Sequence, residues 1–294
     1  MTEHQLTALH GSSPLGFLAG LGAVAAALRR RELGEVRLAW GIQPPHHARL
    51  WSAAADPDGL AQAVFKGLTD RSTLTPESVT GTKSFKELTL AGCRAQFDKL
   101  DADEAALLAA MVSDVTTRET PLRGPLVMTG GPQDFTGEVS KLRAEVREAG
   151  TASIANALFG PWQYVDGHPL GFDPLMERQH AYLGSKPERD SRRVPGAVLL
   201  ATTALAFLPL FPADCRGGVS NVLFPDRGWE VMSWPLWEDA LPLAGVASVL
   251  GCAGRAAAAA ALPAGVFALF GAERKEVKTA GGSYPVLRPG RRLR

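Results

Sequence analysis

Apolar positions between residues 15 and 28 recur at Leu15, Leu18, Leu21, Ala25 and Leu28, the three-to-four spacing of a helix with a buried face. Ser12 or Ser13 can cap that helix, and Pro14 falls in its first turn, where a missing N–H costs nothing. Gly16, Gly20 and Gly22 leave room for another element to approach closely. Residues 35 to 42, EVRLAWGI, alternate Val36, Leu38 and Trp40 with polar or small neighbours and predict a strand. Residues 58–68 and 102–115 predict amphipathic helices with acids in the first turn, joined through a polar Thr/Ser-rich connection near 69–86. A short strand near residue 122 leads through Gly-Gly-Pro into a helix carrying Val139, Leu142 and Val146 on one side. The next helix, TASIANALF, ends at Gly160 with Pro161 behind it.

Residues 194 to 212 hold no acid or base until Asp214. A helix from Pro195 to Pro209 would reach about 21 Å, against a hydrocarbon core of about 30 Å. It therefore predicts a buried core helix and no membrane partner. Further on come GWEVMSWPLW, the helix LPLAGVASVLG, an alanine run and the strand GVFALFGAERKEV. This mixture of helices with few short strands predicts an α+β fold in one large domain, 1–294. Two lobes, 1–120 and 121–294, would join near residues 115 to 130.

Composition adds an ordinary globular character, with 46% hydrophobic and 21% charged residues. The net charge of +1 offers no broad basic face. Its distribution is uneven: eight Lys/Arg against Glu273 and Glu276 make residues 255–294 locally +6, leaving about −5 for the rest. Cys93, Cys215 and Cys252 are far apart and form no CxxC pair, which argues against a disulfide framework or structural zinc. A reduced, cytoplasmic setting fits, as does the lack of a basic stretch before the first apolar run.

Catalytic signatures are weak. GSSPLG lacks the GxSxG arrangement, so a capping serine is the better reading. His46 and His47 are adjacent and diverge on any regular element, which makes them a poor metal pair. The acids of DADE, 101–104, suit a helix N-terminus. MTGGPQDFTG matches neither phosphate-loop pattern, but a glycine-rich turn before a helix can hold an anion, so Thr129, Gly130, Gly131 and Gln133 are candidate phosphate contacts. What remains is an aromatic-basic set: Trp162, Tyr164 and Arg178, with Tyr284, Arg288, Arg291, Arg292 and Arg294 in the tail. These types stack on bases and neutralise phosphates, and equally serve as core rings and a solvated end.

Five blocks in order carry a resemblance: HGSSPLGFLAGLGAVAAALRR with EVRLAW; TPLRGPLVMTGGPQDFTGEVSKL; NALFGPWQY with LGFDPLMERQHAYL; LATTALAFLPLFP; and SWPLW. They span residues 10 to 237, and ALFGPWQY followed by FDPLMERQHAY is the most specific. The chain resembles small proteins of subtype I-G (formerly I-U) CRISPR loci, some standalone and some described as an extension of the helicase–nuclease component. The resemblance implies a subunit or accessory of an RNA-guided antiviral effector, with crRNA or target DNA and other subunits, including the helicase–nuclease, as partners. It implies no catalytic residue and no cofactor. Two other readings stay open: a metal-dependent nuclease or phosphoesterase using His10, His46 or His47, and a protein adaptor that never touches nucleic acid.

Overall fold

The computed structural model describes residues 1–70, 79–81, 87–128, 134–175, 192–213, 217–225, 230–258, 261–279 and 282–294. The chain opens with β1 (Thr2–His10), α1 (Pro14–Leu28), β2 (Arg37–Trp40), β3 (His47–Ser52) and α2 (Pro57–Thr69). Helices α3 (Leu90–Phe97) and α4 (Ala102–Met111) follow, then a ladder of β4 (Val112–Ser113) with β5 (Leu122–Arg123). Next are α5 (Phe135–Ala149), α6 (Thr151–Phe159), β6 (Val165–Asp166), β7 (Arg192–Arg193) and α7 (Pro195–Thr203). The rest comprises β8 (Leu210–Pro212), β9 (Val219–Asn221), β10 (Val231–Trp237), β11 (Leu241–Pro242), α8 (Leu243–Ala258), β12 (Val266–Thr279), β13 (Gly282–Leu287) and β14 (Arg291–Arg292). The fold class is α+β, as the mixed pattern predicted.

Two antiparallel sheets frame α1. One has the order β1-β3-β2-β11; the other runs β10-β12-β13, with β14 on β12. Helix α1 is buried from Pro14 to Ala27, all round rather than on one stripe, because neighbours crowd every side. A Cβ at Gly20 would lie 2.9 Å from Trp40, one at Gly22 only 1.8 Å from Leu200 O on α7, and one at Gly67 of α2 2.1 Å from Ala26 O. The small residues let backbones meet, as their spacing suggested.

An aromatic cluster ties the sheets together. Phe17 of α1 stacks on Trp40 at 5.5 Å and lies 5.8 Å from Trp234, which in turn stacks on Phe270 at 6.1 Å. Trp40 and Trp237 meet edge to face at 6.2 Å. The indoles of Trp234 and Trp237 donate to Gly11 O and Leu38 O, each at 2.8 Å, so the rings bury their polar atoms satisfied. One continuous set of buried apolar residues extends from Leu6 to Leu287, and α1 packs on α7 across position 120. The expected division into lobes finds no support in this packing.

Other expectations met partial outcomes. Helix α7 stops at Thr203 and tightens into a 3₁₀ turn, Ala204–Phe207, so it is shorter than the span to Pro209. The Thr202 and Thr203 hydroxyls both donate to Leu199 O, competing with the helical ladder there. Among the described residues no helix is long and apolar enough to cross a membrane. Gly160 closes α6 with φ +65°, a positive φ that glycine adopts readily, and its N–H donates to Asn156 O. Ser13 occupies the N-cap of α1 in extended conformation, but its side chain makes no capping bond.

Candidate nucleic-acid interface

The first sheet turns Leu6, Leu38, Ala48 and Leu50 toward the core. The alternate positions of β1 and β3 must then point outward: Glu3, Gln5, His47, Arg49 and Trp51. Pairing sets these in rows, with Trp51 between Glu3 and Arg37, Arg49 opposite Gln5, and His47 opposite His10. The Arg49 guanidinium lies 5.1 Å from the centre of the Trp51 ring. It also faces Glu3 at 3.5 Å and donates to Glu238 O at 3.0 Å, so the stack is held from several sides. A planar cation fixed over a half-buried indole on the outward side of the sheet offers a partly exposed surface on which a base can stack.

The tail lies at the histidine end of this sheet. A Cβ on Gly290 would come within 2.1 Å of Ser12 O, just past β1. Arg292 donates through Nη2 to Phe267 O at 3.1 Å, and the Phe267 ring packs on His46 at 5.6 Å. Arg291, Arg292 and Arg294 are exposed. Arg288 pairs with Glu273 at 2.9 Å, while Arg291 reaches the same carboxylate only at 3.9 Å. Arg288 and Arg291 therefore share one acid, and Arg292 donates to Arg294 O at 2.9 Å.

The aromatic corner flanks β1 at Thr7 and Ala8, close to this same end. Thr7 Oγ1 donates to Phe159 O at 2.7 Å, and Gly160 packs on Ala8. Trp162 is half-buried; its Nε1 donates to Ala157 O at 3.0 Å and its ring meets Tyr164 at 6.4 Å. Burial, then the charge of Asp173, holds the Tyr164 hydroxyl well above its ordinary range. Asp173 is itself buried, and burial raises its carboxyl pKa despite hydrogen bonds from Leu175 N and Tyr164. This corner is a helix stop and packing plug that leaves part of an indole at the surface.

Tyr284 needs correction as a stacking residue. It is only 2% exposed, packed against His168 at 6.1 Å on the inner side of β13, so no ring face reaches a base. It lies in a run of consecutively buried residues, Tyr284 to Leu287, on β13. Arg178 and the phosphate candidates Thr129, Gly130, Gly131 and Gln133 lie outside the described residues.

The remaining candidates resolve into structural roles. Asp101 Oδ1 accepts from Glu104 N at 2.9 Å and Glu104 Oε2 accepts from Asp101 N at 3.1 Å, a reciprocal cap on α4. His46 is buried, with Nδ1 2.9 Å from Gly41 O, on the side away from His47, as adjacency implied. Cys93 is buried and its thiol is pushed up to about 11, while Cys252 is exposed; both are free.

Sequence reasoning missed the outward sheet face, although HARLWS alternates cleanly and carries both Arg49 and Trp51. It also missed a second arginine group, for which no local pattern exists. Arg29, Arg143 and Arg147 donate to the last carbonyls of α2, at Gly67, Asp70 and Thr69, and Arg30 faces Asp70 at 3.8 Å. Desolvation, then Arg147 and Arg29, lowers the Arg143 pKa. These cations cap a helix C-terminus, beside a cavity of about 610 Å³ lined by Leu28, Leu107, Val139 and Phe207. No protein-family model, curated protein or solved structure matches the chain.

Proposed function

We propose that this chain is a nucleic-acid-binding subunit or accessory of an RNA-guided antiviral effector of the subtype I-G kind. In this reading it works in the cytoplasm on crRNA or target DNA, beside the helicase–nuclease and other effector subunits. The blocks quoted from residues 10 to 237 support the assignment to that system. The observation that carries the nucleic-acid reading is the half-buried Arg49–Trp51 stack on the outward side of the antiparallel sheet, continued at one end by the exposed Arg291, Arg292 and Arg294. Sheet faces with a planar ring or guanidinium bind unpaired bases, and flanking arginines meet the phosphates.

The chain's part is then to hold a strand, with Arg49 and Trp51 stacking bases and the tail arginines fixing the backbone. Trp162 extends the stacking surface past the β1 edge. Base–aromatic stacking contributes about 1–3 kcal/mol per base. Trp51→Ala is therefore expected to weaken binding of a labelled single-stranded RNA by about tenfold or more in fluorescence anisotropy. Unchanged affinity in Trp51→Ala and Arg49→Met, with the fold intact by circular dichroism, would remove the sheet face from the proposal.

A further inference from the structure

The outward face holds one group that base stacking does not use. His10 and His47 are direct partners across β1 and β3, although 37 positions separate them in sequence. Their ring centroids are 5.1 Å apart with planes inclined at 71°. Two imidazoles bound to one tetrahedral ion, with metal–nitrogen bonds of about 2.1 Å and ring radii of about 1.1 Å, place their centroids about 5 Å apart. The observed centroid spacing matches that separation.

One further feature fits a ligand role. His47 Nδ1 is shielded from solvent and has no partner among the described residues, although a buried ring nitrogen is ordinarily satisfied. An edge-to-face histidine pair alone leaves that atom unexplained.

We infer that His10 and His47 form a two-imidazole site for a borderline divalent cation. No group of three or more His, Cys, Asp or Glu is assembled there among the described residues, so solvent or a ligand oxygen completes the coordination. Nitrogen ligands without carboxylates favour Cu²⁺, Ni²⁺ and Zn²⁺ and exclude Mg²⁺ and Ca²⁺. The open positions of a bound ion face the side of the sheet that carries Arg49, where an anionic oxygen could take one. The inference rests on the histidine geometry alone and stands apart from the nucleic-acid reading.

The test is metal titration of the full-length chain, freed of any affinity tag, by calorimetry with Zn²⁺, Ni²⁺ and Mg²⁺. One Zn²⁺ or Ni²⁺ per chain and no heat with Mg²⁺ are expected, with affinity lowered at least about tenfold in His10→Gln and in His47→Gln. Equal affinity in the variants, or no binding of Zn²⁺ or Ni²⁺, overturns the site. Should either variant misfold, electron paramagnetic resonance of wild type with one equivalent of Cu²⁺ decides the matter. Two coordinated imidazole nitrogens support the pair, and one or none refutes it.

Discussion

The closest backbone approach, α1 over α7 at Gly22, gives a sharp test of the fold. A Cβ at Gly22 would sit 1.8 Å from Leu200 O and 2.4 Å from Leu200 C. Ordinary contact lies at about 3.4 Å, so the helices would have to part by about 1.6 Å, and the obstacle is backbone that no rotamer change can move. Overpacking of this kind costs about 3 kcal/mol, and alanine's better helix propensity returns about 1 kcal/mol. Gly22→Ala should thus lose about 2 kcal/mol, a fall in Tm of about 3 °C for a chain this long. Gly251→Ala is the control, because Gly251 lies exposed in α8 with nothing within 4 Å of the added carbon. It should gain about 0.8 kcal/mol from propensity alone. Thermal unfolding followed at 222 nm, with urea midpoints alongside, separates the pair. Gly22→Ala as stable as wild type would refute the α1–α7 crossing.

Two further outcomes follow from the buried charges. The Asp173 carboxyl has a raised folded-state pKa, mainly through burial, so the native state binds its proton more tightly than the unfolded chain does. Its contribution to stability is present below the unfolded pKa and is lost as pH rises through the folded one. Asp173→Asn should therefore flatten the stability profile on that acidic side, in urea titrations between pH 4 and 7 (roughly the carboxyl range), and an unchanged profile would contradict the assignment. Arg193 is 6% exposed, and its Nη2 pairs with Glu145 while Nη1 donates to His168 O at 3.1 Å. Removing the carboxylate by Glu145→Ala strands a buried cation and should cost about 3 kcal/mol, measured as a shifted urea midpoint.

Legibility in the sequence followed local cause. Helices α1, α5 and α6 were readable because Leu15 to Leu28, Val139–Leu142–Val146 and the Gly160 stop are each written within one turn or two. β1 was not, because its alternation of His4 and Leu6 breaks before Leu9, where the pairing with β3 shifts register. β3 alternates Ala48, Leu50 and Ser52 inward, yet the adjacent His46 and His47 drew attention to ligand chemistry instead. The tail arginines could be read from charge clustering alone, and three of them are exposed as solvated groups. Tyr284 could not be placed by type, since its burial depends on β13 folding over the Gly171 loop, where Leu287 N donates to Gly171 O at 2.9 Å. His10 beside His47, and four arginines around the end of α2, are products of tertiary pairing and have no signature along the chain.

Removing the last ten residues would be a poor probe of the tail, because Pro285, Val286 and Leu287 are buried in β13. Charge-neutralising substitutions at the exposed guanidinium groups leave that strand intact. The decisive measurement is the salt dependence of single-stranded RNA binding for wild type and for the triple variant Arg291→Gln, Arg292→Gln, Arg294→Gln. Each phosphate contact adds about −0.7 to the slope of log K against log salt for a single strand. If all three arginines meet phosphates, the variant's slope should be shallower by about 2, with Trp51 stacking left in place. Identical slopes for the two proteins, or binding indifferent to salt, would contradict the claim that this chain grips a polyanion.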